Sequence, residues 1–196
     1  MPVRFLLLLL PALIGPRPFA QGEPFETLSL TASGQVDLGG GLDDSGYHSS
    51  WTPGPGLALR VSTPFYLGTA HAGVQTAWHD GADPLPGYLA MLVHGGLGAR
   101  LSLPLGLEAE PALLAGILSM DFLQDETISA AVRRESELVL GASLDVSAPL
   151  TSSLRAIAGV QAVQVYTAPR FRLMSVTAGL RWTARTPGWL RGLLDS

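Results

Sequence analysis

Between Leu89 and Leu118 the side chains alternate by twos around one tight turn. On the first arm Leu89, Met91, Val93, Leu97, Ala99, Leu101 and Leu103 share a face; His94, Gly96, Gly98, Arg100 and Ser102 share the other. On the second arm Leu107, Ala109, Leu113, Ala115 and Ile117 lie together, and Glu108 and Glu110 begin the opposite face. A period of two belongs to a β-strand, whose successive side chains point to opposite sides. Pro104-Leu105-Gly106 supplies the turn. Proline fits the first corner of a type I turn, and glycine fits the left-handed residue that closes a three-residue loop. That loop sets Leu103 opposite Leu107, Ser102 opposite Glu108 and Arg100 opposite Glu110. One face is apolar throughout. The other holds small residues, arginine and glutamate, too sparsely charged for a surface bathed in water.

The rest of the chain repeats this pattern. Residues 27–38 alternate almost without exception, Leu28, Leu30, Ala32, Gly34, Val36 and Leu38 against Thr27, Ser29, Thr31, Ser33, Gln35 and Asp37. That run is long enough to cross a bilayer as a tilted strand, which takes about 9–11 residues. Further strands are predicted over residues 56–63, 67–78, 135–147, 152–166 and 171–182, which with the two hairpin arms make eight. Polar loops at 39–55, 79–87 and 120–134 alternate with short turns at Pro64-Phe65, at Pro104 to Gly106 and through Pro149. Outer-membrane barrels have this asymmetry, with short periplasmic turns and longer outer loops. Aromatic residues fall near the strand ends: Tyr66 and Trp182 at the turn end, Trp78, Tyr88, Tyr166 and Phe171 at the loop end. Such positions predict two interfacial girdles.

Composition narrows the choice. Only 14% of residues are charged and 47% are hydrophobic, against about 25% charged in a typical soluble domain. A soluble sandwich or lipocalin-like barrel would need a solvated second face or an apolar lumen. Glycine, serine and alanine on the second face suit a narrow eight-stranded lumen instead. Over residues 27–182 the chain resembles the small eight-stranded outer-membrane barrels, OmpA-like and OmpX-like, by pattern and topology rather than by a motif. The resemblance implies an all-β fold, an eight-stranded antiparallel up-and-down transmembrane β-barrel, in the outer membrane of a Gram-negative-type envelope. Outer-membrane lipids are then its neighbours. An extracellular protein or surface partner would meet the long loops.

The ends of the chain read separately. Arg4, the apolar run from Phe5 to Ile14 and Ala20-Gln21-Gly22 form a positive, an apolar and a small-x-small region. Residues 1–22 are therefore expected to be a cleaved signal peptide, residues 23–182 the barrel, and residues 183–196 a C-terminal interfacial helix or tail. Thr186-Pro187 is an N-cap followed by a proline at the first helical position. Trp189, Leu190, Leu193 and Leu194 follow at helical spacing. The chain has no cysteine, so disulfide and thiolate chemistry are excluded. Its formal charge of −4, with no basic run, argues against nucleic acid.

Placing the polar-face charges by height brings Arg60, Arg100, Glu108, Glu110, Asp145, Arg155 and Arg181 to the short-turn end of the lumen. Isolated charges in so narrow a space are costly, but arginine and carboxylate satisfy each other. This network is expected to plug the barrel, with Arg100 against Glu110 or Glu108. His71 and His94 are assigned to the lumen face, and His79-Asp80 to the start of a loop. Adjacent strand residues point to opposite faces, so that dipeptide alone is a weak catalytic signal. The loop acids Asp43, Asp44, Asp80, Asp83, Asp121, Asp125 and Glu126 lack the spacing of a defined calcium site. No catalytic, cofactor or metal site is assigned. The function expected is that of a small non-enzymatic barrel, structural or loop-presenting; the rivals are a narrow solute channel and a hydrolase acting on lipid or protein.

Overall fold

The computed structural model describes residues 24–38, 47–66, 68–123, 134–167 and 170–194. Eight strands run in chain order: β1 (Thr27–Asp37), β2 (Trp51–Phe65), β3 (Gly68–Gly81), β4 (Tyr88–Gly98, resumed over Leu101–Ser102), β5 (Glu108–Phe122), β6 (Arg134–Pro149), β7 (Leu154–Val165) and β8 (Phe171–Arg185). A short helix α1 (Tyr47–Ser50) precedes β2, and a helix α2 (Gly188–Leu194) follows β8. Each strand pairs antiparallel with its neighbours in sequence, and β1 pairs with β8 from Thr27↔Arg185 to Asp37↔Ser175. The sheet therefore closes on itself and leaves no edge.

The hairpin register follows the turn. Ser102 faces Glu108, and Leu103 N–H donates to Leu107 O at 2.8 Å. Pro104–Gly106 forms one turn of 3-10 helix in which Leu105 (φ 62°) joins Gly106 (φ 73°) in the left-handed region. The ladder is interrupted after Gly98. Ala99 N–H donates to Pro111 O at 2.9 Å, but proline has no N–H to return.

Alternation decides which side chains face in. Along β1, Ser29, Thr31, Ser33 and Gln35 are buried while Leu30 and Val36 are exposed. Outward-facing Leu57, Leu97, Leu113, Leu138 and Leu140 continue this exposed apolar belt around the wall. The polarity of a soluble domain is thus inverted through most of the wall. Contiguous apolar area of this kind suits hydrocarbon, where a closed barrel pairs every ladder group internally.

At the loop end the strands outrun their expected limits. β2 starts at Trp51 and not near Gly56, because the ladder passes Pro53, Gly54 and Pro55 through a register shift instead of stopping there. β3 continues to Gly81, β5 to Phe122, and β6 begins at Arg134. Asp80, Asp121 and Arg134 look like loop residues in sequence, yet all three lie on strands. Asp121 and Arg134 are register partners joined by a 3.0 Å ion pair. The expected loop-end girdle is also corrected. Tyr88 (0% exposed) and Phe171 (5%) point into the barrel, whereas Tyr66 and Trp182 are exposed as expected. Tyr88 opens β4 one residue before the outward Leu89, and alternation turns it inward. The expected signal peptide and the loop acids Asp43, Asp44, Asp125 and Glu126 lie outside the described residues.

Candidate functional site in the barrel lumen

The lumen is filled in three layers. Nearest the short turns, the seven charged residues singled out from the sequence meet in one chain of ion pairs. Arg60 of β2 pairs with Asp145 of β6. Arg181 of β8 stands between Asp145 (3.8 Å) and Glu110 of β5 (2.9 Å). Arg100, in the break of β4, reaches Glu110 at 3.6 Å and Glu108 at 3.8 Å, and Arg155 of β7 reaches Glu108 at 3.5 Å. Neutral donors and acceptors complete the shell. Thr69 Oγ1 donates to Glu110 Oε1 (3.0 Å), Arg181 Nε to Thr31 Oγ1 (3.4 Å), and Arg155 Nε to Ser147 Oγ (2.9 Å).

Burial divides this layer in two. Asp145, Arg181 and Glu110 are buried and, with Arg60 at 14% exposure, form a quartet with two charges of each sign. Arg100, Glu108 and Arg155 are wetter and stand toward the mouth. A buried ion is tolerated only when paired and hydrogen-bonded, so alternation of sign is what lets the quartet occupy the barrel. The hairpin register does bring Arg100 to Glu110. The shorter contact, from Arg181, joins strands distant in sequence, and no local rule foresees it.

The middle layer holds imidazoles and amides. His71 faces Gly96 across the β3–β4 ladder, and Gly73 faces His94. Each ring lies over the glycine opposite. A Cβ on Gly73 would stand 2.8 Å from His94 Nε2, and one on Gly96 would stand 2.5 Å from His71 Nε2. The two ring centroids are 5.8 Å apart. Gln75 Nε2 lies 3.2 Å from His94 Nε2 and donates to Gln161 Oε1 at 2.8 Å; Gln161 Nε2 donates back to Gln75 Oε1 at 3.1 Å. Gln75 and Gln161 line both of two small cavities. The one of about 40 Å³ also touches Asp37, His79, Leu118 and Ser175. The one of about 30 Å³ also touches Arg60, His94, Ser143 and Asp145. Both are water-sized, far below the roughly 300 Å³ at which small-molecule pockets begin.

The loop end is closed by an aromatic and aliphatic layer that sequence reasoning missed. Tyr47 of α1 stacks on Phe171 with centroids 4.0 Å apart and planes 3° apart, and packs against Trp51. Trp51 meets Tyr88 edge-on, and Tyr88 stacks on His79 at 4.7 Å. The Tyr47 hydroxyl is 3.4 Å from His79 Nδ1. Leu92, Leu114, Leu118, Met120, Val139, Val163 and Val165 pack in the same buried cluster. Burial, and then the nearby charge of Asp37, push the Tyr47 phenol above its ordinary pKa. The signal was present in sequence: large apolar residues replace small ones on the inward parity of β4 to β7 toward the loop end.

His79 is therefore corrected. It lies within β3, faces inward and is 1% exposed. Asp80 faces outward and accepts a hydrogen bond from Trp78 Nε1 at 2.9 Å. The His-Asp dipeptide is split across the wall, and its imidazole lies beneath Tyr88. Among the described residues, no cluster of three or more histidines and carboxylates is placed to hold a metal ion.

No family model and no curated protein matches the chain. Solved structures do. The fold is similar to the crystal structure of Neisserial surface protein A, with a TM-score of 0.58 and 11% identity over 79% of this chain and 96% of that one. It is also similar to the crystal structure of Ail, the attachment invasion locus protein of Yersinia pestis, in complex with the heparin analogue sucrose octasulfate. There the TM-score is 0.52, with 10% identity over 83% of this chain and all of that one. At such identities the likeness is one of fold, and the chain has the closed eight-stranded antiparallel barrel of the small outer-membrane proteins.

Proposed function

We propose that this chain is a small outer-membrane protein, exported with residues 1–22 as a cleaved leader, that spans the bilayer as a closed barrel. It serves through its wall and loops, as a structural element or by presenting the loops to a surface partner, and not as a pore or an enzyme. The observation that carries this reading is the filled lumen: an alternating ion-pair layer at one end, a buried aromatic layer at the other, and a glutamine bridge between two water-sized cavities. Eight strands leave an interior just wide enough for side chains. The location is supported by the exposed apolar belt and by strands of 11 to 16 residues, long enough for a tilted crossing of about 9–11.

Planar-bilayer recording of the purified, folded protein tests the closed lumen. The expected record is free of stable ohmic steps. Steady single-channel conductance overturns the closed barrel and promotes the solute channel. Separation of the envelope on a density gradient tests the location, because the full-length chain should sediment with outer-membrane lipid; recovery in the soluble periplasmic fraction overturns it.

A further inference from the structure

The ion-pair chain in the lumen begins and ends on arginine. It runs Arg60, Asp145, Arg181, Glu110, Arg100, Glu108, Arg155, so four guanidinium charges meet three carboxylate charges and one positive charge is left over. Each carboxylate lies between two arginines, while each terminal arginine has one carboxylate. Arg155 ends the chain at the mouth, where it donates to Ser147 Oγ (2.9 Å), Ser147 O (3.2 Å) and Gly106 O (2.8 Å). Arg60 ends it inside the barrel, on the lining of the cavity of about 30 Å³. Its Nε is buried and has no hydrogen-bond partner among the described residues.

Two further residues of that lining carry an orphaned polar atom. Ser143 Oγ and His94 Nδ1 are likewise buried and unpartnered among the described residues. Gln75 Nε2, an amide nitrogen that only donates, lies 3.2 Å from His94 Nε2. The imidazole therefore accepts at Nε2 and carries its proton on Nδ1. Arg60 Nε, His94 Nδ1 and Ser143 Oγ are thus donors in want of an acceptor, and a buried donor left so is costly, more so when charged. Asp145, the carboxylate on the lining, is engaged by Arg60 and Arg181. We propose that this cavity is an anion site that takes one halide ion, chloride by default, and so ends the ion-pair chain on a negative charge. Size selects the class. A cavity of about 30 Å³ admits a water-sized body, since one water needs roughly 10–15 Å³ by this measure, and is too small for a phosphate. Water would supply an acceptor without charge; a halide supplies both. The lumen is closed by side chains at each end, so the ion is taken up as the barrel folds.

The test refolds the full chain in sodium bromide and, in parallel, in sodium gluconate at the same ionic strength. Electrophoretic mobility before and after heating selects folded material. Crystals of bromide-folded protein, measured at the bromine absorption edge, should show an anomalous peak inside the lumen between Arg60 and Ser143. A peak confined to Arg100 or Arg155 at the mouth is an adventitious ion only and overturns the proposal. A lumen without anomalous density overturns it in favour of water. Urea unfolding supplies the solution readout. The wild-type midpoint should be higher in bromide than in gluconate, because a ligand held by the folded chain alone stabilises it. A lumen peak with equal midpoints is binding at crystal concentration only, and also overturns the proposal. Ser143→Val keeps every ion pair, removes the hydroxyl and fills part of the cavity. It should lose both the peak and the salt difference; a salt difference that survives it places the bromide elsewhere and sinks the site. The wild-type measurements stand by themselves if that variant fails to fold.

Discussion

Arg181 Nη1 donates to Glu110 Oε2 at 2.9 Å across the lumen, from strands β8 and β5, which do not pair with each other. Both side chains are almost wholly buried, at 2% and 3% exposure. The bond therefore ties two parts of the barrel wall that backbone pairing does not join directly. Arg181→Met should destabilise the barrel by less than the roughly 3–5 kcal/mol of a buried charge left wholly unpaired, because Glu110 keeps Arg100 at 3.6 Å and the Thr69 hydroxyl. The double variant Arg181→Met, Glu110→Leu should fall closer to wild type, since the buried carboxylate goes with its shortest partner while Asp145 keeps Arg60. Urea unfolding of vesicle-reconstituted protein measures both. A single variant as stable as wild type would mean that water reaches the pair and that it seals nothing.

How far the sequence carries this architecture depends on distance along the chain. Alternation fixed the parity of Arg60, Arg100, Glu110, Asp145 and Arg181, because a strand offers only two faces. The turn at Pro104 to Gly106 fixed the Arg100–Glu110 register, because a three-residue loop allows one. Barrel closure sets the Arg181–Glu110 contact, through strands 71 residues apart, and no local signal encodes it. His79 and Tyr88 fall just past the strand ends that alternation marks, and only the added strand length at the loop end shows that their parity points inward. Phe171 opens β8 on the inward parity of Ser175 and Arg181, and its aromatic ring resembles girdle chemistry only by type. α1 carried no sequence signal, for four residues are too few to show a helical period.

Gly73 and His94 should be energetically coupled. Gly73→Ala puts a methyl against the His94 ring and against Leu59 O. Overpacking of this kind costs about 1–3 kcal/mol. His94→Ala removes the ring and opens space above the same site. The double variant should thus be less destabilised than the sum of the two singles, by an amount a double-mutant cycle resolves. Strict additivity would show that the backbone contact at Leu59 dominates and that the imidazole simply moves aside.

The aromatic layer should exclude even small solutes from the cavity beneath it. The chain has no cysteine, so Ser175→Cys introduces a single thiol on the lining of the 40 Å³ cavity. In the folded barrel that thiol should resist a small charged methanethiosulfonate reagent. Adding Tyr47→Ala removes the ring stacked on Phe171 and should let the reagent in. Rapid labelling with Tyr47 still in place would count against a seal at the loop end.

Tyr47 should also give this cap an alkaline limit. Its hydroxyl is buried and lies near the charge of Asp37, and both raise its pKa above the ordinary value of 10.0. In the unfolded chain the phenol ionises at that ordinary value. Folding therefore binds the proton more tightly than unfolding does. The associated stability is fully present below about pH 10 and is lost as pH rises from there toward the folded value, by about 1.4 kcal/mol per pH unit. Urea midpoints followed into this alkaline window should fall more steeply for wild type than for Tyr47→Phe, which keeps the stacked ring and lacks the ionising group. Difference ultraviolet titration of wild type against Tyr47→Phe should show no phenolate from Tyr47 at its ordinary value while the barrel stays folded. Equal pH slopes for the two proteins would mean that the Tyr47 hydroxyl is already open to water in the folded barrel.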